Sequence, residues 1–345
     1  MRPSLSPPPG PHDSGGRTLV LLPVYNDWES CKEVVKRVDG VFAATDRRGE
    51  FLLVDDGSED PPEFSRVAGD LHATDAVHLL RLRRNLGHQR AICVGLSLIE
   101  AEFPCDAVIV MDADGEDDPE DIPRLLDRWE AEGRTSIVFA ERTRRSEGLV
   151  FRASYWTYRV LHRILTGLGV RVGNFSVIPA GRLSSLVLYP ELWSHYAAAV
   201  FVSRIPFVTV PTRRSQRISG HSHMNYQALV AHGLSAVTVF SEVVGVRVLL
   251  ANLAMVFAGT FGLLFLFAAS LTQPWEFPTW MTYVSGLLMI AILLSIMFAF
   301  LFTFIILFER KSGSMIPARD APLFMGRLER IFPQGNEPPS SDGRS

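Results

Sequence analysis

The chain has 345 residues and a formal net charge of -3, which leaves no basic excess for a nucleic-acid partner. Its three cysteines, Cys31, Cys93 and Cys105, are odd in number and lack metal-ligand spacing, so reduced, buried thiols are expected. The length suits one domain of ordinary size with additional apolar segments and tails.

Residues 1–17 are rich in Pro, Gly and Ser and hold no apolar run, which predicts a disordered tail and no secretory signal. Thr18–Val24 is an apolar run of strand length, and Trp28, Cys31, Val34, Val35, Val38, Val41 and Phe42 follow at helical spacing. Phe51–Val54 reads as the next strand and runs into the turn Asp55-Asp56-Gly57-Ser58. Strand Ala76–Leu82, a helix over His88–Ile99, strand Ala107–Met111, a helix near Pro119–Glu132 and strand Ser136–Ala140 complete the alternation. Such alternation predicts an α/β, Rossmann-like domain over 18–246 with a mostly parallel sheet. Ligands of such sheets bind beyond the carboxyl ends of the strands, where the acidic clusters of this chain fall.

Residues 149–170 interleave Phe151, Tyr155, Trp156 and Tyr158 with Arg152, Arg159, His162 and Arg163. That pattern fits a helix in the membrane interface, and it also fits a core-packing helix with a solvated face. Between Val248 and Phe308 the only charged residue is Glu276, inside the break Gln273-Pro274-Trp275-Glu276-Phe277-Pro278. A helical span takes roughly 20 apolar residues, so 247–310 is predicted to form a transmembrane hairpin with spans near 248–271 and 281–308. Arg247 precedes the first span, Arg310 and Lys311 follow the second, and the connecting loop has neither Lys nor Arg. By the positive-inside rule both ends are cytoplasmic, which makes this a multi-pass cell-membrane protein with a cytoplasmic domain and a cytoplasmic tail over 311–345.

The densest acidic run is Val110-Met111-Asp112-Ala113-Asp114-Gly115-Glu116-Asp117-Asp118. In an extended segment alternate side chains share a face, so Asp112, Asp114 and Glu116 are expected to converge on one point. Three carboxylates suit a hard cation, Mg²⁺ or Mn²⁺. The plain alternative is a solvated acidic loop that caps the helix beginning near Pro119.

Pro23-Val24-Tyr25-Asn26-Asp27, Val54-Asp55-Asp56-Gly57-Ser58, Arg84-Asn85-Leu86-Gly87 and Met111-Asp112-Ala113-Asp114 occur in this order. The set resembles the inverting GT-A nucleotide-sugar glycosyltransferases. More narrowly it is similar to the polyprenyl-phosphate group that includes dolichyl-phosphate mannose synthase and undecaprenyl-phosphate glucosyltransferase. The resemblance implies that Pro23, Tyr25 and Asp27 line the base pocket, with Asp27 where the family more often has Glu. It implies further that Asp55 contacts base or ribose, that Asp56 and Ser58 shape the turn, and that Asp112 faces ribose and metal. Asp114 would bind the metal directly, and Glu116 stands where relatives often carry Gln. Asp117 follows the common family order and belongs with Asp114, Arg142 and Arg145 in the implied catalytic set, while Asp118 replaces a usual Pro.

Arg142, Arg145 and Arg152 match basic positions that would hold the acceptor lipid's phosphate or the departing diphosphate, a task suited to the planar guanidinium. A solvated basic stretch beside lipid headgroups is the alternative. Two departures stand out. Asn174, in Gly173-Asn174-Phe175-Ser176, occupies a position where the family often has an Asp suggested as catalytic base, and Ser176 one that is often Arg. His223, in Ser222-His223-Met224, replaces a lysine of a mobile loop and joins the acceptor-phosphate set with a titrating charge.

The resemblance thus implies metal-dependent, inverting transfer of a hexosyl unit from a nucleotide-diphosphate sugar to a polyprenyl (undecaprenyl/decaprenyl-type) phosphate. The expected partners are that donor, that acceptor and the membrane, and a homo-oligomer is compatible with the sequence. The rival expectations are transfer to a hydroxyl of a glycolipid or polysaccharide, and a non-catalytic membrane scaffold that retains the fold.

Overall fold

A computed structural model describes residues 17–59, 71–142, 172–212, 215, 218, 239–272, 279–311 and 315–333. These fall into two compact units, one holding residues up to 239 and from 315 onward, the other residues 240–314.

The first unit is built on an eight-stranded sheet: β1 (Thr18–Val24), β2 (Gly49–Asp55), β3 (Thr74–Leu82), β4 (Ala107–Val110), β5 (Ile137–Arg142), β6 (Val172–Pro179), β7 (Phe207–Thr212) and β8 (Met325–Phe332). Helices α1 (Trp28–Ala44), α2 (His88–Glu102), α3 (Ile122–Ala131), α4 (Ala180–Leu186) and α5 (Tyr196–Ser203) cover it. Strand order is β7-β5-β6-β4-β1-β2-β3-β8. The pairs β4–β1, β1–β2 and β2–β3 are parallel, as the alternating pattern predicts. The sheet is nevertheless mixed, because β6 runs antiparallel to both β4 and β5, and β8 antiparallel to β3.

All seven residues of β1 and all four of β4 are buried, which requires cover on both faces of the sheet. One face packs Val34, Val35, Val38 and Phe42 of α1 with Leu125 and Trp129 of α3. The other packs Ile92, Leu96 and Ile99 of α2 with Tyr196 and Val200 of α5. Cys31 and Cys93 are buried free thiols, and burial raises both; Cys105 is half-buried and pushed up to about 12, again by burial first.

The segment predicted as a cytoplasmic tail begins differently. Residues 315–333 rejoin the first unit, with β8 pairing along β3 and Ile331 and Phe332 packing against the core. β8 alternates poorly and carries Arg327, Glu329 and Arg330, the composition of an edge strand, which is why its hydropathy hides it.

In the second unit, α6 (Ser241–Thr272) and α7 (Thr279–Lys311) pair with each other. Both contain stretches long and apolar enough to cross a membrane, Val243–Leu271 and Thr279–Ile305. Small residues set their approach: a Cβ on Gly259 would lie 2.8 Å from Ile292 Cγ1, and one on Gly262 would lie 3.2 Å from Leu288 Cδ1. The candidate interfacial helix over 149–170 lies outside the described residues.

Candidate active site

The parallel register brings the carboxyl ends of β1, β2, β3 and β4 to one edge of the sheet. The antiparallel β6 delivers its amino end to the same edge, since Ser176 pairs with Val110 and Asn174 lies just beyond. β5 also ends there, its Glu141 opposite Val172 of β6.

The β2 turn is a scaffold. Asp55 Oδ1 accepts the Ser58 N–H at 2.8 Å, Ser58 Oγ accepts the Asn26 N–H at 2.9 Å, and Asn26 Oδ1 accepts the Glu59 N–H at 3.0 Å. The loop after β1 is thereby stitched to the loop after β2. Asp56 points the other way, its oxygens accepting the N–H groups of Leu86 and Gly87 at 2.7 and 2.8 Å. Burial raises the Asp56 pKa, against the pull of those two backbone donors. Gly57 is at φ 76°, and a Cβ there would lie 2.8 Å from Asn85 N, so the Asp-Asp-Gly-Ser turn and the Arg-Asn-Leu-Gly loop press together backbone to backbone. The Asp55–Ser58 and Arg84–Gly87 motifs are therefore one structure.

The acidic run after β4 is not extended. Gly115 has φ 81°, and Asp114 Oδ1 bends back to accept the Glu116 N–H at 3.0 Å. Asp117 is buried, its Oδ2 accepting the Asp112 N–H at 3.0 Å. The alternation assumed for Asp112, Asp114 and Glu116 is lost at that turn. Among the described residues no three His, Cys, Asp or Glu side chains are gathered to hold a metal ion. The carboxylates still suit a hard cation, because Mg²⁺ is commonly held by one or two carboxylates with substrate phosphates and water completing its shell.

Asp118 binds outward to two other elements: Arg37 Nη2 of α1 at 3.0 Å and Ser215 Oγ, beyond β7, at 2.8 Å. Ser215 N donates to Glu116 O at 3.0 Å, Ile218 N donates to Asp114 O at 3.2 Å, and the Ile218 side chain lies where a Gly115 Cβ would be. Asp118 thus helps to hold Ser215 against the acidic turn, which Ile218 also contacts.

Asp112 meets a polar group from α2 and β6. Its Oδ1 lies 3.1 Å from His88 Nε2 and accepts from Asn174 Nδ2 at 3.2 Å. His88 loses some solvation beside these groups, which works against its protonation although its side chain is 42% exposed, yet the carboxylates of Asp112, Asp114 and Asp117 together raise its pKa above the free imidazole value. Gln89 Nε2 donates to Asn174 Oδ1 at 3.0 Å, and Gln89 Oε1 accepts the Tyr196 N–H at 2.8 Å.

Of the residues nominated from sequence, Asp55, Asp56, Asp112, Asp114, Glu116 and Asp117 lie on this edge. Pro23 is buried in β1, Tyr25 is exposed just beyond it, and Asp27 precedes α1. Arg142 ends β5 at the same edge by its backbone, and its side chain lies outside the described residues, as do Arg145, Arg152 and His223 entirely. His88 and Gln89 belong to the site and were not nominated. Their one signal in the sequence is position, directly after Arg84–Gly87 at the start of a helix.

Residues 19–181 match the family model Glycosyl transferase family 2. The undecaprenyl-phosphate 4-deoxy-4-formamido-L-arabinose transferase of Klebsiella pneumoniae (strain 342) is 34% identical over 140 residues, 40% of this chain and 40% of its own. That of Salmonella enteritidis PT4 (strain P125109) is 30% identical over 151 residues, 44% of each chain. The match therefore spans less than half the length of these curated relatives. Among solved structures, glucosyl-3-phosphoglycerate synthase from Mycobacterium tuberculosis in complex with uridine diphosphate has a TM-score of 0.46 at 16% identity, covering 67% of this chain and 81% of its own. Mannosyl-3-phosphoglycerate synthase from Rubrobacter xylanophilus has a TM-score of 0.46 at 17% identity, covering 66% and 73%.

Proposed function

We propose that this chain, whose residues 19–181 form a domain of glycosyl transferase family 2, transfers a hexosyl unit from a nucleotide-diphosphate sugar to a polyprenyl phosphate with inversion at the anomeric carbon. The observation that carries the reading is the meeting of the Asp55–Asp56 turn and the Asp112–Asp117 turn at one sheet edge, in a chain that also holds two helices apolar enough to span a membrane. The names of the curated relatives, which are undecaprenyl-phosphate sugar transferases, support the lipid phosphate as acceptor.

The β1 and β2 loops would receive the nucleoside, with Tyr25 exposed enough to stack on the base and Asp55 rigidly held by Ser58. Asp112 and Asp114 would hold Mg²⁺ or Mn²⁺, which when bound neutralises charge on the leaving diphosphate. Arg142 and Arg145 would hold the attacking phosphate through charge-assisted bonds. A phosphate monoester is mostly ionised near neutral pH, its second pKa being about 6 by analogy with phosphorylated side chains. It can therefore attack without a general base, which agrees with an amide at Asn174. A hydroxyl acceptor would need one.

The chain leaves the α/β unit before α6 and returns to it as β8, which supports an even number of crossings and both ends on one face. Arg247, Arg310 and Lys311 support the cytoplasmic face. The test is nucleotide-sugar turnover by purified full-length protein with and without a short polyprenyl phosphate. Release of nucleotide that depends on the lipid is expected. Turnover indifferent to it would remove the lipid from the reading, and no turnover across a panel of donors would favour a scaffold.

A further inference from the structure

We propose that Asn174 is a fixed amide donor to Asp112, aimed by Gln89, and that the pair sets how Asp112 meets the nucleotide-sugar donor. This rests on the glycosyltransferase reading and adds two positioning residues to it.

An asparagine amide has an accepting and a donating end, and the side chain alone does not decide which end faces a neighbour. Here the decision starts from the backbone. The Tyr196 N–H donates to Gln89 Oε1 at 2.8 Å, a bond that only the carbonyl end of Gln89 can accept. Gln89 must then present Nε2 to its other neighbour, and that nitrogen donates to Asn174 Oδ1 at 3.0 Å. With its oxygen taken, Asn174 turns Nδ2 towards Asp112 Oδ1 at 3.2 Å and His88 Nε2 at 3.0 Å, one hydrogen for each. A backbone N–H cannot flip, so the whole relay has one sense.

The relay is also buried. Gln89 and Asn174 are 8% and 9% exposed and Tyr196 is fully enclosed, so each polar atom left unmatched would be costly. Ser176 Oγ donates to the Asn174 carbonyl at 2.9 Å. With that hydrogen committed, the Tyr196 hydroxyl donates to Ser176 Oγ at 2.7 Å, and burial keeps the phenol protonated. Ser176 thus fixes the backbone of Asn174 to α5, the helix that also aims Gln89. Asn174 and Ser176 are thus both used, one as donor and one as clamp.

A carboxylate at position 174 could not take over this work. One oxygen would accept from Gln89, leaving the other 3.2 Å from Asp112 Oδ1, where like charges repel, and 3.0 Å from His88 Nε2, so the two carboxylates would have to share a single imidazolium. The geometry assigns position 174 to the donor side of the reaction, acting through Asp112, and not to deprotonation of an acceptor.

The test uses full-length protein in detergent: wild type, Asn174→Ala, Asn174→Asp, Gln89→Leu and the Asn174→Ala/Gln89→Leu double variant. Uridine diphosphate and guanosine diphosphate are each titrated by calorimetry in the presence of Mn²⁺, with melting temperatures recorded and kcat and KM measured for both substrates. Nucleotide affinity is expected to fall about tenfold in Asn174→Ala and further in Asn174→Asp, with KM for polyprenyl phosphate unchanged. Gln89→Leu should weaken binding similarly, and the double variant should be no weaker than Asn174→Ala, because Gln89 acts only through Asn174. Faster turnover by Asn174→Asp than by wild type would overturn the proposal. So would a fall in kcat for Asn174→Ala at unchanged nucleotide affinity, or additive losses in the double variant. If Gln89→Leu does not fold, the Asn174→Asp result decides alone. Wild type binding neither nucleotide would overturn the glycosyltransferase reading itself, and this inference with it.

Discussion

Every residue of β1 is buried, whereas on α6 Phe257, Phe261 and Leu264 stand 67%, 73% and 61% exposed. The residue types are alike, and the two units differ in how those side chains are covered. In the α/β unit, apolar side chains from both faces close over the sheet, which leaves its carboxyl edge to acids, amides and the His88 imidazole. In the hairpin, two helices touch along a seam that includes Gly259 and Gly262 and turn their large side chains outward. Water does not tolerate so large an apolar surface, and lipid does. A polar sheet edge and a hairpin apolar enough to span a membrane, in one chain, are what the proposed transfer from a soluble nucleotide sugar to a lipid phosphate would require.

The contrast can be broken at several points. Asp114→Ala should reduce turnover by about a hundred- to a thousandfold, the usual effect of deleting a preorganised electrostatic group, with the melting temperature preserved. Excess chelator should match it, and undiminished activity in chelator would remove the metal from the reaction. Truncation before Met315 tests whether the segment after the hairpin belongs to the α/β unit. Removing Ile331 and Phe332 from their packing should cost roughly 3 kcal/mol and bare the β3 edge. A melting curve unchanged by the truncation would detach β8 from the domain. Phe257→Asp, at a position 67% exposed, would be harmless on a water-facing helix. Facing lipid near a span centre it should cost about 2.5–3.5 kcal/mol of insertion, read as protein lost from carbonate-washed membranes. Smallest is Asp118→Ala, which removes bonds to Arg37 and Ser215 and should raise amide exchange at Ile218 by about 1 kcal/mol of lost protection.

The units were also legible to different degrees. Both long helices and the strands β1 to β5 follow from hydropathy and period alone, because buried strands and helices apolar enough to span a membrane are continuous apolar runs. β8 is charged and one-sided, so nothing local distinguishes it from a tail, and only its pairing with β3 defines it. The acids of the site were legible as ends of strands. Their directions were not, since Gly115 at φ 81° breaks the alternation from which convergence was inferred. Gln89 was hidden for a related reason: its role exists only because β6 and α5, far along the chain, come to lie beside α2.

The linkage in the product tests transfer to a lipid phosphate most directly. Full-length protein is incubated with the nucleotide sugar it turns over and a short polyprenyl phosphate, and the glycolipid formed is treated with mild acid. A sugar phosphate is expected, cleaved under those conditions to free hexose and polyprenyl phosphate. A glycolipid that survives the treatment, as a glycoside of a hydroxyl does, would contradict it.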